Sequence, residues 1–504
     1  RRNDFGGSLG GPIIIPKIYN GKDKTFFFFN YEQFRESTIV NTVLDTVPTL
    51  AYRKGDFSAL LGNGTPFTGA LATDGLGNQM LQGMIFDPST ERLAPNGTRA
   101  RLQFPGNQIP LNRFDPSAIK LQDFIPLPNI GTANTFTNNY INPFPSDRVT
   151  PIPSLKLDHS FSSKLKISGY WSSTTTEVEY APGGFALSEG FPDTITATRG
   201  TYIYSRTWRA NLDYTLTPTM LMHFGAGYIV NDFGDTAPIT NFDMNKVLGI
   251  AGGTLGPTTG ARVPIFGAPA GLAPPTSGSL VGPQGFGGVQ AMGPYTGQVR
   301  ALLQRPTGNL SLSWVKGNHS YKFGGEVRFD GYPTVTNSNT SGNFAFSADQ
   351  TNNSFFQGKA LGGLFAGFPY ASLLLGDVSS VTLAQPAETR GGRGFYAWYA
   401  QDTWKVTRKL TLDYGLRWDL MTYPREQYGR SPDFSPTLVN ATAGGHPGGT
   451  IYEANCNCRF ASNYPFAYAP RIGVSYQALS KTVIRGAIGL SYSMSQGGGQ
   501  GSAG

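Results

Sequence analysis

The sequence predicts an all-β protein, an antiparallel transmembrane β-barrel, because it holds long alternating strands, short turns that recur, and very long connections between the repeats. The clearest strand is residues 410–420, where Leu, Tyr and Trp alternate strictly with Thr, Asp, Gly and Arg. This period of two indicates a strand with one apolar face. A soluble strand usually has about 5 to 6 residues, whereas a tilted strand needs about 9 to 11 to cross a bilayer. The length therefore favours a membrane strand.

The same hairpin design recurs along the chain, and the repetition strengthens the prediction. In each copy two alternating strands flank one short turn. The five turns lie at residues 161–164, 217–219, 316–319, 407–409 and 479–481. Two further strands are predicted at residues 5–15 and 25–37. Together these segments predict about 12 to 14 strands.

Charged residues on the polar faces of the strands predict how the strands are oriented. An Arg or Lys side chain on the lipid face near the membrane midplane costs roughly 2 to 4 kcal/mol. We therefore expect the charged faces to line the lumen of the barrel. The predicted lumen-facing residues are Glu326, Arg328, Arg417, Asp419 and Arg485.

Aromatic residues near the strand ends predict where the membrane interfaces lie. Trp and Tyr are enriched at the level of the lipid headgroups, where they form the two aromatic girdles of outer-membrane barrels. The apolar side chains between the girdles are then expected to contact lipid. The predicted girdle residues are Trp171, Trp314, Trp398, Trp404, Trp418 and Tyr423.

A soluble β-sandwich or β-propeller also contains alternating strands, and its apolar face would be an ordinary core. The chain differs from these folds because its short turns alternate with very long connections. These connections are residues 39–150, 232–300 and 424–466. In outer-membrane barrels the short turns face the periplasm and the long loops face the exterior. We therefore expect the three segments to form the surface that binds a ligand.

Composition excludes two classes of protein. Apolar residues make up 39% of the chain and the mean hydropathy is -0.22. Because no run of about 18 apolar residues is present, the sequence predicts no transmembrane helix. The formal charge is +8, but the 40 basic and 32 acidic residues are dispersed, without a basic run. Nucleic-acid binding is therefore not predicted.

Motifs for catalysis or metal binding are weak. Residues 6–10 fit the G-x-S-x-G pattern of a nucleophile elbow, but the residues that follow read as strand rather than as the required helix. Cys456 and Cys458 form a lone C-x-C pair, which supplies too few ligands for a metal site. An oxidising compartment would permit a disulfide between them. The sequence thus predicts no enzyme activity, no metal and no cofactor.

Several sequence segments, in their order along the chain, resemble the barrel of TonB-dependent outer-membrane receptors. They include RRNDFGGSLGGPI and KIYNGKDKTFFFFNYEQFRE near the start, VPTLAYRKGDFS, IFDPST and FPGNQIP further on, and WYAQDTWKVTRKLTLDYGLRWD and APRIGVSY near the end. The resemblance runs from about residue 1 to residue 492. It is greatest to the Oar-like subfamily, whose members often carry a carboxypeptidase-regulatory-like domain at the N-terminus.

The resemblance implies a barrel of 22 antiparallel strands, a plug domain inside it, and a segment before the plug that engages the TonB energy-coupling complex. Residues 1–504 would then be a barrel fragment, with the plug and coupling segment expected before Arg1 and the last strands after Tyr492. The chain also opens without a signal peptide and ends in GGGQGSAG. The implied partners are outer-membrane lipid, the TonB complex through the missing N-terminal segment, and an unknown extracellular ligand.

Two functions remain open at this point. The first is a receptor of the bacterial outer membrane for TonB-dependent uptake of a large nutrient, such as a glycan, a peptide or a metal chelate. The second is a structural or adhesive surface protein without active transport, because Oar-like relatives resemble receptors yet can serve cell-surface roles. A plug and a TonB-contacting segment would favour the first.

Overall fold

A computed structural model gives the structure of the chain. It describes residues 1–41, 44–62, 64–181, 190–196, 199–237, 239–252, 265–266, 280–281, 286–293, 299–337, 339–357, 359–362, 364–385, 387–460 and 462–492.

One antiparallel sheet of 13 strands dominates the described residues, and twelve of its strands follow one another in chain order. The thirteenth, Arg425–Glu426, pairs with the ninth strand of this path. The twelve strands are β1 (Arg2–Pro12), β2 (Thr25–Val40), β3 (Phe144–Ser160), β4 (Leu165–Ala181), β5 (Arg199–Thr217), β6 (Met220–Thr236), β7 (Val299–Lys316), β8 (His319–Thr336), β9 (Ala387–Lys405), β10 (Leu410–Met421), β11 (Ala467–Leu479) and β12 (Thr482–Gly489). Among the described residues β1 pairs only with β2, and β12 only with β11. The predicted all-β antiparallel class is therefore confirmed.

Strands β3 to β9 are longer than the alternating runs that predicted them. Strands β3 to β9 contain 17 to 19 residues each. Strand β8 pairs with β9 all the way from His319 opposite Trp404 to Thr336 opposite Ala387. The ladder continues because pairing uses backbone groups and does not require side chains to alternate in polarity.

The first two strands also differ from their predicted limits. The strand predicted at residues 5–15 runs from Arg2 to Pro12, and the one predicted at 25–37 extends to Val40. Beyond Pro12 the residues Ile14–Ile15 pair with Tyr19–Asn20 in a separate small hairpin. This hairpin turns through Lys17, which has a φ of 63°.

The connections at the two ends of the sheet have very different lengths. At one end, short turns join β3 to β4, β5 to β6, β7 to β8, β9 to β10 and β11 to β12. Residues 13–24, which include a small hairpin, join β1 to β2 at the same end. Long connections join the other strand pairs at the opposite end, and one of them, residues 337–386, is not among the predicted long segments. Its sequence is rich in Phe and Leu, which is the signal that could have identified it.

Short elements fill the long connections. The α-helices are α1 (Leu50–Arg53), α2 (Pro116–Gln122), α3 (Met244–Leu248), α4 (Pro369–Leu374) and α5 (Glu453–Cys456), and the 3-10 helices are Ser58–Leu61, Gly69–Leu71, Pro105–Asn107, Leu111–Arg113, Ala348–Thr351, Ser354–Phe356 and Ala441–Ala443. The short strands are Phe86–Leu93, Arg99–Gln103, Ile265–Phe266, Leu280–Val281, Gly288–Val289, Asn343–Ala345, Ser380–Thr382, Pro432–Asn440 and His446–Tyr452. Within the described ranges, no helix has both the length and the apolar character needed to cross a membrane.

Four of the long connections fold together into one body, which we call the cap. It consists of the described parts of residues 44–143, 190–196, 239–293 and 339–385, and all four segments contribute to one hydrophobic core. The Phe57 and Phe368 rings lie 5.7 Å apart at its centre, although these residues belong to different connections. The main core of the molecule therefore lies in the cap, at one end of the strands.

Candidate ligand-binding surface and charged strand face

One face of the sheet is apolar and exposed. Residues that lie opposite each other on paired strands share a face, so Phe323, Ala400 and Leu416 form one row across β8, β9 and β10. Leu416 is 46% exposed, and Trp398, one row away, is 50% exposed. A continuous apolar surface of this kind indicates an environment other than water.

The tryptophans of this face lie in pairs across neighbouring strands. The rings of Trp398 and Trp418 stack at 5.2 Å, and Trp404 stacks on His319 at 5.3 Å. Trp314 lies 5.5 Å from the ring of Tyr321. Of the other predicted girdle residues, Trp171 lies on the same face, opposite Trp208, and Tyr423 follows the end of β10. Their membership of the girdles stays a prediction.

A single buried carboxylate interrupts the apolar face near the short turns. Asp402 lies in the same cross-strand row as Tyr321 and Tyr414. Its Oδ2 accepts hydrogen bonds from the Tyr414 hydroxyl at 2.8 Å and from Nδ1 of His319 at 2.6 Å. These donors offset the cost of placing a carboxylate among aromatic rings.

Among the ion pairs on the opposite face of the sheet, two groups contain residues predicted to face the lumen. The first, which we call the Arg417 cluster, contains Glu326, Arg417 and Asp419. A guanidinium nitrogen of Arg417 lies 3.7 Å from Glu326 Oε2, and its Nε lies 2.9 Å from Asp419 Oδ1. The structure thus brings three of the predicted lumen-facing residues together, with two carboxylates around one guanidinium.

The second group, the Asp330 cluster, surrounds a carboxylate whose side chain is 2% exposed. Asp330 lies 2.6 Å from Nε of Arg305, 3.4 Å from Nε of Arg328 and 3.6 Å from Nε of Arg393. Of these arginines, only Arg328 was among the predicted site residues. Arg305 and Arg393 lie on the polar faces of β7 and β9, and the alternation of those strands could have indicated this. The residue that each arginine contacts, however, depends on the register in which β7, β8 and β9 pair.

Arg485 is not brought into either cluster. It lies opposite Ser475 on β12, is exposed, and forms no ion pair with any residue in the described part of the chain. Its role in a lumen stays a prediction.

An ion-pair network holds two connections of the cap together. Glu91 Oε2 accepts hydrogen bonds from Ser354 Oγ at 2.6 Å and from Arg101 Nη2 at 2.9 Å, and Oε1 accepts one from Arg99 at 2.6 Å. Nη1 of Arg101 donates to three carbonyl groups of residues 349–352. The hydrogen bonds from Ser354, Arg99 and Arg101 lower the pKa of Glu91 to about 2. Glu91 is therefore a charged link between residues 44–143 and 339–385.

A buried asparagine stabilises an irregular part of the cap. Asn107 is fully buried with a φ of 58°. Its Nδ2 donates to the carbonyls of Phe57 and Gly83 at 2.9 Å each, and its Oδ1 accepts from the Ile85 amide at 2.8 Å. The side chain thereby forms hydrogen bonds with buried backbone groups that have no partner in a helix or a sheet.

Cys456 and Cys458 form a disulfide in the connection between β10 and β11. The described residues contain no group of three or more His, Cys, Asp or Glu side chains placed to hold a metal ion.

A meander of long antiparallel strands, with one exposed apolar face, one charged face and long connections at one end, defines the class of β-structured outer-membrane proteins. The chain belongs to the outer membrane β-barrel domain family, whose model matches residues 1–503. The predicted location in the bacterial outer membrane is therefore confirmed. No curated protein matches the chain.

Solved structures of outer-membrane proteins are similar to this chain. The outer membrane transporter YddB from Escherichia coli is 11% identical with a TM-score of 0.39, and the match covers 94% of this chain and 38% of that one. FpvA of P. aeruginosa, bound to pyoverdines, is 8% identical with a TM-score of 0.40 and coverages of 96% and 40%. The ferric yersiniabactin uptake receptor FyuA from Yersinia pestis is 8% identical with a TM-score of 0.36, and the match covers 95% of this chain and 42% of that one. The chain spans about two fifths of the length of these structures.

Proposed function

We propose that this domain is the barrel of an outer-membrane receptor that imports a large ligand with energy from the TonB complex. The observation that carries the proposal is the cap, because four connections that leave the same end of the strands share one core. A preformed body at the outer end of a barrel is suited to bind a ligand, since little order has to be gained on binding. The resemblance to TonB-dependent receptors, including the Oar-like subfamily, supports the part of the proposal that concerns coupling to TonB.

In this proposal the two faces of the sheet have separate tasks. The charged face, with the Arg417 and Asp330 clusters and Arg485, lines the lumen. The apolar face contacts lipid, and Trp171, Trp314, Trp398, Trp404, Trp418 and Tyr423 lie in the girdles. The family membership and the cost of charges in lipid support this orientation. A plug and a TonB-contacting segment outside residues 1–504 would complete the receptor.

The proposal is tested by uptake in the native host. Cells with and without the gene, each with TonB active or inactivated, are given a labelled glycan, a labelled peptide mixture and a ferric chelate. We expect uptake of at least one probe to require both the receptor and TonB. A receptor in which residues 339–385 are replaced by a short Gly-Ser linker should insert in the membrane and lose ligand binding. Loss of cell attachment, with no probe dependent on TonB, would favour the structural or adhesive function.

A further inference from the structure

The Asp330 cluster contains hydrogen-bond donors that have no acceptor. Only 8% of the Arg393 side chain is exposed, yet its Nε is buried without a hydrogen-bond partner, as is the Nε of Arg328. Arg305 is different, because its Nε donates to Asp330 Oδ1 at 2.6 Å. Buried polar atoms nearly always have a partner, and a buried guanidinium Nε without one indicates a missing acceptor.

The charges of the cluster point to the same conclusion. Within the described ranges, Asp330 is the only carboxylate at ion-pair distance from Arg305, Arg328 or Arg393. The next acidic residue along the same face of β8 is Glu326, and it is paired with Arg417. Three guanidinium groups therefore share one carboxylate. The Arg393 side chain is 8% exposed, whereas those of Arg305 and Arg328 are 30% and 29% exposed. Because a buried charge without a counterpart is costly, an anion beside Arg393 is the expected counterpart.

We propose that the Asp330 cluster is a binding site for an oxyanion, a carboxylate or phosphate group of a diffusible ligand in the lumen. Guanidinium groups bind such groups through two parallel hydrogen bonds, and Asp330 holds Arg305 in place beside Arg328 and Arg393, whose Nε atoms have no acceptor. The proposal deepens the receptor function above and rests on it for the lumenal orientation. It makes Arg305, Arg328 and Arg393 the residues that select an anionic ligand.

The position of the cluster along the strands fits a ligand that enters past the cap. Arg305 lies six residues from the start of β7, Arg393 six from the start of β9, and Asp330 six from the end of β8. All three of these strand ends are at the cap. Six residues of strand correspond to about 20 Å, so the cluster lies in the cap-side half of the strands. The Arg417 cluster lies further from the cap and has two carboxylates for one guanidinium.

The test measures anion binding to the purified full-length protein in detergent, freed of lipopolysaccharide. Inorganic phosphate and citrate are the probes, titrated by calorimetry, with glucose as a neutral probe. We expect one phosphate or citrate to bind at millimolar concentration and glucose not to bind. Arg393→Gln should weaken binding at least tenfold. Lys405→Gln, a change on the same strand and the same face, should leave it unchanged.

Arg328→Gln is a second variant, because it removes a donor without touching the bond between Arg305 and Asp330. Preference for phosphate over citrate, or the reverse, identifies which oxyanion the site selects. Wild-type protein that binds neither probe at about 10 mM, or an Arg393→Gln protein that binds both as well as wild type, would overturn the proposal. So would competition by lipopolysaccharide alone, because this would place the cluster on the membrane side. TonB-independent uptake with intact anion binding would instead overturn only the receptor function.

Discussion

The strand sheet and the cap place their apolar residues in opposite ways. In the sheet, Trp398 and Leu416 are about half exposed on a continuous apolar face, whereas in the cap Phe57 and Phe368 are 0% exposed. The cap thus contains the kind of core that stabilises soluble domains. The sheet has one face suited to lipid and one that carries charge. One chain therefore combines two stabilising environments, and we expect that each can be disturbed without disturbing the other.

The largest effect is expected from Phe368→Ala in the cap. Truncation of a fully buried Phe costs about 3 to 5 kcal/mol, because a cavity remains where the ring was. Phe368 also contacts rings from another connection, with Tyr52 at 5.5 Å. We expect rapid proteolysis of the cap, while the sheet keeps the slow heat-dependent migration in gels that folded barrels show. Phe434→Ala, at an exposed ring, is the control. Loss of the folded sheet together with the cap would show that the two regions are not independent.

The second-largest effect is expected from an arginine substitution on the apolar face of β7, compared with the same substitution at the adjacent position. Leu310 lies on the exposed apolar face, and Asn309 lies on the charged face. Leu310→Arg should lower the free energy of unfolding from lipid vesicles by about 2 to 4 kcal/mol, whereas Asn309→Arg should change it little, because lumenal positions are hydrated. Urea titration in vesicles measures both. If Asn309→Arg destabilised the protein more than Leu310→Arg, the charged face would contact lipid and the apolar face would line the lumen.

The sheet could be predicted from the sequence because strand faces are fixed locally. The alternation in residues 410–420 identifies β10, and its turn identifies the hairpin with β9. The ion pairs could be predicted only in part, since the contact of Asp330 with Arg305 and Arg393 depends on the register of three strands. Alternation predicts the face of the sheet on which a residue lies, whereas the register of the neighbouring strand determines which residue it contacts.

The cap could not be predicted, because its contacts join residues that are far apart in the chain. The Tyr370 hydroxyl donates to Gln122 at a separation of 248 residues, and the Arg101 amide donates to Asn353 at a separation of 252. Its segments have no sustained periodicity, so no local pattern identifies their buried faces. Residues 337–386 supply Phe368 and Tyr370 to the core, and their richness in Phe and Leu does not show which residues these side chains contact.

A smaller effect is expected at the buried carboxylate of the apolar face. Asp402→Ala leaves the Tyr414 hydroxyl and the His319 ring nitrogen without their acceptor, which costs about 1 to 3 kcal/mol for groups shielded from water. Asp413→Ala is the matched control, because Asp413 is exposed on the other face and bonds only to Thr403 among the described residues. Urea unfolding in vesicles measures both variants. Equal costs would mean that Asp402 is as well hydrated as Asp413.

The smallest effect is a dependence of cap stability on pH through Glu91. Its pKa in the folded cap is about 2, against an ordinary value of 4.5. A carboxyl group with a lowered folded pKa stabilises the fold above its unfolded pKa, and this contribution is lost as the pH falls from about 4.5 to about 2. The side chain is partly exposed, so solvent screening keeps the effect modest.

Comparison with Glu91→Gln isolates this contribution from the other carboxylates of the cap. Wild type should resist proteolysis of the cap better than the variant at pH 7, and the advantage should shrink below about pH 4.5 and vanish near pH 2. A constant difference across that range would mean that the charge of Glu91 does not stabilise the cap. The hydrogen bonds of Arg101 to residues 349–352 would then suffice to join the two connections, because they do not titrate in this range.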